Sequence, residues 1–137
     1  MSQMSAEFSI EVDPGRDLVR IRMAGFFRPH NVADFLVARR AAHEELTCAP
    51  NAHLTINDIR EMSIQAHDVV DAFREMLAAP EYRSRRLAFV VANTLARSQA
   101  LRALESREAR WFTDPEQAEA WLFADDLAEM PLRQAAG

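Results

Sequence analysis

Glycine and cysteine are scarce in this chain of 137 residues, which has three glycines and one cysteine. Gly15, Gly25 and Gly137 fall in no G-x-G-x-x-G or P-loop pattern, so the sequence lacks a glycine-rich loop for a nucleotide phosphate. The single Cys48 excludes an intramolecular disulfide and a cysteine-based zinc site, which fits a reducing compartment. We therefore expect a cytoplasmic protein without a cofactor.

Catalytic and metal-binding motifs are also lacking. The four histidines show neither H-E-x-x-H nor another zinc-ligand spacing, so no metal is expected. No G-x-S-x-G element is present to hold a nucleophilic serine. Ser63, His67 and Asp71 recur at four-residue steps, but one helix face does not supply the geometry of a catalytic triad. We interpret them as ordinary pairs on a helix surface and predict no enzyme.

Long apolar runs and a strong basic charge are missing as well. No stretch of about 18 apolar residues could span a membrane, and the first ten residues, MSQMSAEFSI, do not resemble a secretory signal. The net charge of -5 argues against a general nucleic-acid binder. One basic cluster, Arg83, Arg85 and Arg86, suits either an oxyanion or acidic partner or, alternatively, a solvated loop.

The residues that are present predict one α/β domain over 1–137, with its core at about 8–122 and a loose tail at 124–137. Apolar and polar residues alternate in two segments around a turn at 13–17, which is typical of a β-hairpin. Further strands are expected at 54–57, 86–94 and 108–113. Helices are expected from Val32 to Leu46, from His67 to Pro80, over 95–106, and from Pro115 with Asp114 as N-cap. The first helix has a mostly apolar stripe that includes Arg39 and His43.

This β-β-α-β-α-β-α-β-α order predicts a mainly parallel sheet with an antiparallel first strand. If neighbouring strands follow chain order, right-handed crossovers place every helix on one face. Arg20, Arg22, Thr55 and Asn57 are polar positions within strands. We therefore expect these four side chains on a second, largely polar face.

A ligand or partner site is expected where the parallel strands end, because loop side chains and free N–H groups of helix starts converge there. Three loops contribute candidates to this corner. The candidates are Phe26, Phe27, His30, Asp58, Arg60, His67, Asp68, Asn93, Thr94 and Arg97.

Three segments resemble the SpoIIAA-like family, which is related to STAS domains of anti-sigma-factor antagonists and to the Sec14-like fold. They are REARWFTDPEQAEAWL at 107–122, VRIRMAGFFRPHNVADF at 19–35 and HLTINDI at 53–59. The resemblance implies a STAS-like superhelix of β/α units. In STAS switches, as this resemblance implies, a strand is followed by an Asp-Ser-Ser-Gly element at the start of a helix. This chain has Ala66, His67 and Asp68 at the corresponding place. We therefore expect no phosphorylation switch at that helix.

The function expected from the sequence is a non-catalytic binding or regulatory domain that acts through protein-protein interaction. Two alternatives stay open, a carrier or sensor of a small apolar or lipid-like ligand and, less favoured, an enzyme that uses His67. Its partner would be a regulatory protein or such a ligand, with no nucleic acid and no membrane span, and a homodimer is a further alternative.

Overall fold

The computed structural model describes residues 4–63, 65–92 and 109–124. Five strands form a single sheet in these residues. They lie side by side in chain order. The first pair is antiparallel and every later pair is parallel. The strands are β1 Glu7–Asp13, β2 Leu18–Gly25, β3 Leu54–Met62, β4 Arg86–Val90 and β5 Ala109–Phe112.

Three described α-helices pack on this sheet: α1 Pro29–His43, α2 His67–Ala78 and α3 Pro115–Leu122. The predicted start of α3 is confirmed, because the Asp114 carboxylate accepts a hydrogen bond of 2.9 Å from the backbone N–H of Glu116. The expected helix over 95–106 and the expected tail lie outside the described residues. The mixed α/β fold with an antiparallel first strand is confirmed.

Each face of the sheet has its own apolar core. The first face carries Ile21 and Phe89 from the strands and is covered by α1 and α2, which contribute Phe35 and Val69. The second face is covered over β3 and β4 by α3. Its buried side chains are Leu18, Leu54, Ile56, Ala88, Val90, Ala118 and Leu122.

The expectation that all helices cover one face is therefore wrong, because α3 packs on the second face. Arg20 and Arg22 do lie on that second face, but Thr55 and Asn57 do not. Thr55 is level with Val19 and Asn57 with Ile21, so both are buried beneath α1 and α2. A central strand such as β3 has two covered faces, and its polar positions are therefore not markers of solvent.

Leu122 tests the packing of α3 on the second face. It is fully buried, so Leu122→Ala should destabilise the protein by about 2–5 kcal/mol through lost burial and the cavity left behind. Urea unfolding followed by circular dichroism measures the change. Gln117→Ala, at an exposed position of the same helix, is the control and should stay within about 0.5 kcal/mol of the parent. Equal effects of the two substitutions would contradict this packing.

Candidate functional site

The carboxyl end of β2, where the site was expected, is closed by the start of the described chain. The backbone N–H of Phe26 donates to the Met4 carbonyl at 2.9 Å. Gly25 has a φ of 83°, and a Cβ at this position would lie 2.2 Å from the Ser5 carbonyl oxygen. Only glycine fits a left-handed residue with backbone this close. This part of the corner is therefore occupied by the protein itself.

Gln65 closes the same corner from the loop between β3 and α2. Its side-chain Oε1 accepts a hydrogen bond of 2.8 Å from the Phe27 N–H. Its Nε2 donates to the carbonyls of Gly25 at 2.9 Å and Ser63 at 2.5 Å. Backbone groups that a ligand could have used are therefore paired within the chain. Gln65 was not among the predicted candidates, since only its place two residues before a helix start distinguishes it in the sequence.

The predicted candidates from the first loop and from α2 are dispersed. Phe27 is fully buried and packs edge-on against Phe73, with ring centroids 5.6 Å apart, so it belongs to the core. Phe26 is half-buried, and the three remaining candidates of this group are exposed. The exposed candidates are His30, His67 and Asp68.

Asp58 and Arg60 lie within β3, so the expectation that they belong to a loop is wrong. Two hydrogen bonds of 2.7 and 2.9 Å join the Arg60 guanidinium to the Asp58 carboxylate. Burial raises the pKa of Asp58, but the hydrogen bonds from Arg60 outweigh it and hold that pKa below its usual value. This pair lies on the second face, whereas α2, which begins at His67, packs on the first.

The third group of candidates, Asn93, Thr94 and Arg97, lies outside the described residues. The described part of the chain therefore does not bring the predicted corner together as one site. A ligand-binding or partner-binding role for these residues stays a prediction.

A buried polar network lies instead at the opposite end of the parallel strands, where β3 begins. His53 is 2% exposed, and its Nε2 lies 3.2 Å from the hydroxyl of Ser84. That hydroxyl lies 2.7 Å from the hydroxyl of Thr55. Hydrogen bonding offsets the cost of burying these polar groups, and the network joins β3 to the segment before β4.

Arg39 of α1 is connected to this network through His43. The Arg39 Nε donates a hydrogen bond of 3.0 Å to His43 Nε2. The ring of His43 packs edge-on against those of His53 and Tyr82, at centroid distances of 4.7 and 5.1 Å. Burial, followed by the nearby Arg39 charge, lowers the pKa of both histidines to about 4. Burial also lowers the pKa of Arg39, to about 10.

An open pocket of about 310 Å³ borders this network. The lining comes from the end of α1, the loop before β3 and the turn before β4. The lining residues are His43, Leu46, Cys48, Ala49, Pro50, Asn51, His53 and Glu81.

The predicted basic cluster is divided between two environments. Arg83 and Arg85 are exposed, whereas Arg86 is buried and donates to the carbonyls of Trp121 at 2.6 Å and Ala124 at 3.0 Å. Arg86 thus ties the end of α3 to the sheet.

Two kinds of feature are absent from residues 4–63, 65–92 and 109–124. No three or more metal-ligating side chains lie together there. None of the helices in these ranges has the length and apolar character of a membrane span.

Comparisons with known proteins support the fold. The domain has a SpoIIAA-like fold. It is similar to the crystal structure of an uncharacterized protein from the DUF3478 family with a SpoIIAA-like fold from Shewanella loihica PV-4, with a TM-score of 0.69 and 14% sequence identity. The match covers 89% of this chain and 98% of that one. No family model matches the sequence, and no curated protein does.

Gln65 and His67 give a matched test of what is structural at the closed corner. Gln65→Ala leaves the Phe27 N–H without its acceptor and removes one of the two hydrogen bonds to the Gly25 carbonyl, which keeps the Ser63 N–H as donor, so it should cost about 1–3 kcal/mol of unfolding free energy. His67→Ala, at an exposed position, should stay within about 0.5 kcal/mol of the parent. Urea unfolding measures both. A larger effect from His67 than from Gln65 would contradict the description of this corner.

His53 predicts how stability depends on pH. Its pKa of about 4 in the folded protein lies below the ordinary 6.5, so the unfolded chain binds protons first as the pH falls. Stability is therefore full above about pH 6.5 and is lost towards pH 4, by on the order of 3 kcal/mol for this residue. Urea unfolding at several pH values measures the loss. His53→Gln should flatten the dependence relative to the parent, and an undiminished dependence in that variant would contradict the role given to His53.

Proposed function

We propose that this domain acts by binding another protein, through the second face of the sheet beside β1. The helix α3 covers β3, β4 and Leu18 of β2 on this face, and it leaves β1 and the part of β2 at Arg20 and Arg22 uncovered. We call this uncovered part the open half. It carries Ser9, Glu11, Arg20 and Arg22. The observation that carries the proposal is that charges of both signs are held in fixed positions over the open half.

Ion pairs provide this order. Glu119 of α3 accepts hydrogen bonds from Arg20 at 2.8 Å and from Arg16 at 3.2 Å. The hydrogen bond from Arg20 is the main reason that the pKa of Glu119 lies below its usual value. Arg22 forms a further ion pair with Glu61. Exposed ion pairs add little to the stability of a protein. Because stability does not explain these pairs on an uncovered part of the sheet, they favour a role in the recognition of a partner protein.

The shape of the open half suits a protein better than a small molecule. A shallow groove of about 170 Å³ lies between Arg20, Arg22, Asp58 and Pro115. Sites for small ligands usually start at about 300 Å³. A groove of this size fits single side chains of a partner that covers a wider area.

The free edge of β1 indicates the chemistry of that partner. Among the described residues, no strand pairs with the outer edge of β1, and an edge strand is a template for the addition of another strand. Glu7 and Glu11 are exposed on this strand. A second copy paired antiparallel about Ile10 would oppose Glu7 to Asp13, two like charges. We infer an extended segment with basic side chains from a different protein.

The pocket at the amino end of β3, lined by His43 and His53, does not favour the alternative function, which is a carrier of an apolar ligand. Its volume of about 310 Å³ would suffice. Its lining, however, includes the polar side chains of His43, Asn51 and His53. An apolar ligand offers no hydrogen bond to these polar side chains, so it would cover them at a cost.

A photo-crosslinking amino acid at Ser9 tests the proposal in cells that express the protein. We expect an adduct of defined mass from Ser9, on the open half, and none from Val37, which is 69% exposed on α1. Glu11→Arg should weaken the adduct by repelling a basic partner, while Glu75→Arg on α2 should not. Mass spectrometry identifies the adduct.

Three outcomes would contradict the proposal. One is the same adducts from Ser9 and Val37, and another is none from either position. The third is a homodimer in native mass spectrometry whose crosslink joins two copies of β1.

A further inference from the structure

Arg39 carries a buried positive charge that no carboxylate of a described residue neutralises. Its side chain is 2% exposed, and it takes part in none of the ion pairs between described residues. Among the described residues, it donates a hydrogen bond to the neutral acceptor His43 and lies near the ring of Tyr82, whose centroid is 5.4 Å from the guanidinium carbon. A buried charge without a partner costs several kcal/mol, and an apolar side chain would usually fill such a place more stably.

A second polar group on the same face also lacks a partner. Asn57 is 4% exposed, and its Oδ1 is buried without a hydrogen bond from any described residue. Asn57 follows Thr55 on the same side of β3, beneath α1 and α2. Buried polar atoms are usually paired, so this exception on the face that α1 and α2 cover also calls for an explanation.

His43 connects the Arg39 charge to the open pocket. Because His43 accepts the Arg39 hydrogen bond at Nε2, the neutral ring carries its proton on Nδ1. The guanidinium polarises this ring, which makes the Nδ1–H a stronger donor. His43 lines the pocket together with His53. The pocket is thus lined by a histidine whose second ring nitrogen carries a proton and whose first ring nitrogen is bonded to a positive charge.

We propose that the pocket lined by His43 and His53 binds a small monocarboxylate, with His43 as donor and Arg39 as the counter-charge. The acidic groups nearby favour one negative charge over several. Glu81 lines the pocket, and the Asp17 carboxylate acts electrostatically on both Cys48 and His53. A phosphate dianion would be repelled more strongly than a carboxylate by these two residues.

Acetate and benzoate are the probes for the test, with phosphate and chloride at matched ionic strength as comparisons, all at pH 7. Nuclear magnetic resonance of the histidine rings reports binding. We expect saturable shifts of His43 and His53 with a carboxylate, and unchanged signals of the exposed His30 and His67. Titration to about 50 mM covers millimolar dissociation constants. No saturable shift in that range would overturn the proposal, and stronger binding of phosphate would overturn the ligand class.

Two adjacent arginines give the matched variants. Arg39→Met should weaken carboxylate binding by at least about tenfold. Arg40→Met, at the exposed neighbouring position of α1, should keep the parent affinity. Unchanged binding in Arg39→Met would overturn the proposal. If that variant does not fold, the parent decides, because a bound carboxylate must raise the pKa values of His43 and His53 in a pH titration. Crosslinking from Ser9 is a separate measurement, so this site and the proposed protein interface can fail independently.

Discussion

The central strand β3 is covered on both faces, and this constraint determines how the other elements pack. Its side chains alternate, so Leu54 and Ile56 meet α3 while Thr55 and Asn57 face α1 and α2. The short helix α3 can bury its apolar residues only where β3, β4 and Leu18 of β2 offer apolar partners. It therefore leaves β1 and the part of β2 at Arg20 and Arg22 uncovered on that side. The two-sided packing of one strand thus produces both the second core and the open half.

The same strand separates two polar regions with different properties. At its carboxyl end, Gln65 makes three hydrogen bonds to backbone groups and fastens the following loop to β2. At its amino end, Arg39, His43 and His53 form a network beside an open pocket. The carboxyl ends of the strands are the usual ligand position of a parallel sheet, and at β2 this position is filled by the chain itself. The amino end of β3, where ligands bind less often, holds polar groups next to a pocket.

Much of the fold could be predicted from the sequence because alternation and capping are local signals. The strand segments, the antiparallel first pair and the Asp114 cap depend on residues close together in the chain, and the sheet order follows because neighbouring strands lie in chain order. The site could not be predicted in this way, since its contacts join distant segments. Periodicity placed Arg39 and His43 on the inner stripe of α1, but it does not reveal that their neighbours are His53 and Tyr82. For the same reason, Asp58 and Arg60 were assigned to a loop although β3 continues to Met62.

Hydrogen-bond satisfaction distinguishes structural from functional roles among the buried polar groups. Gln65 binds one N–H and two carbonyls, so its burial is explained by the loop that it holds. Arg39 has no counter-charge among the described residues, and Asn57 Oδ1 has no donor there. Selection for stability alone would favour apolar side chains at these two positions. An external anion gives the Arg39 charge a reason to persist, and no such reason is required for Gln65.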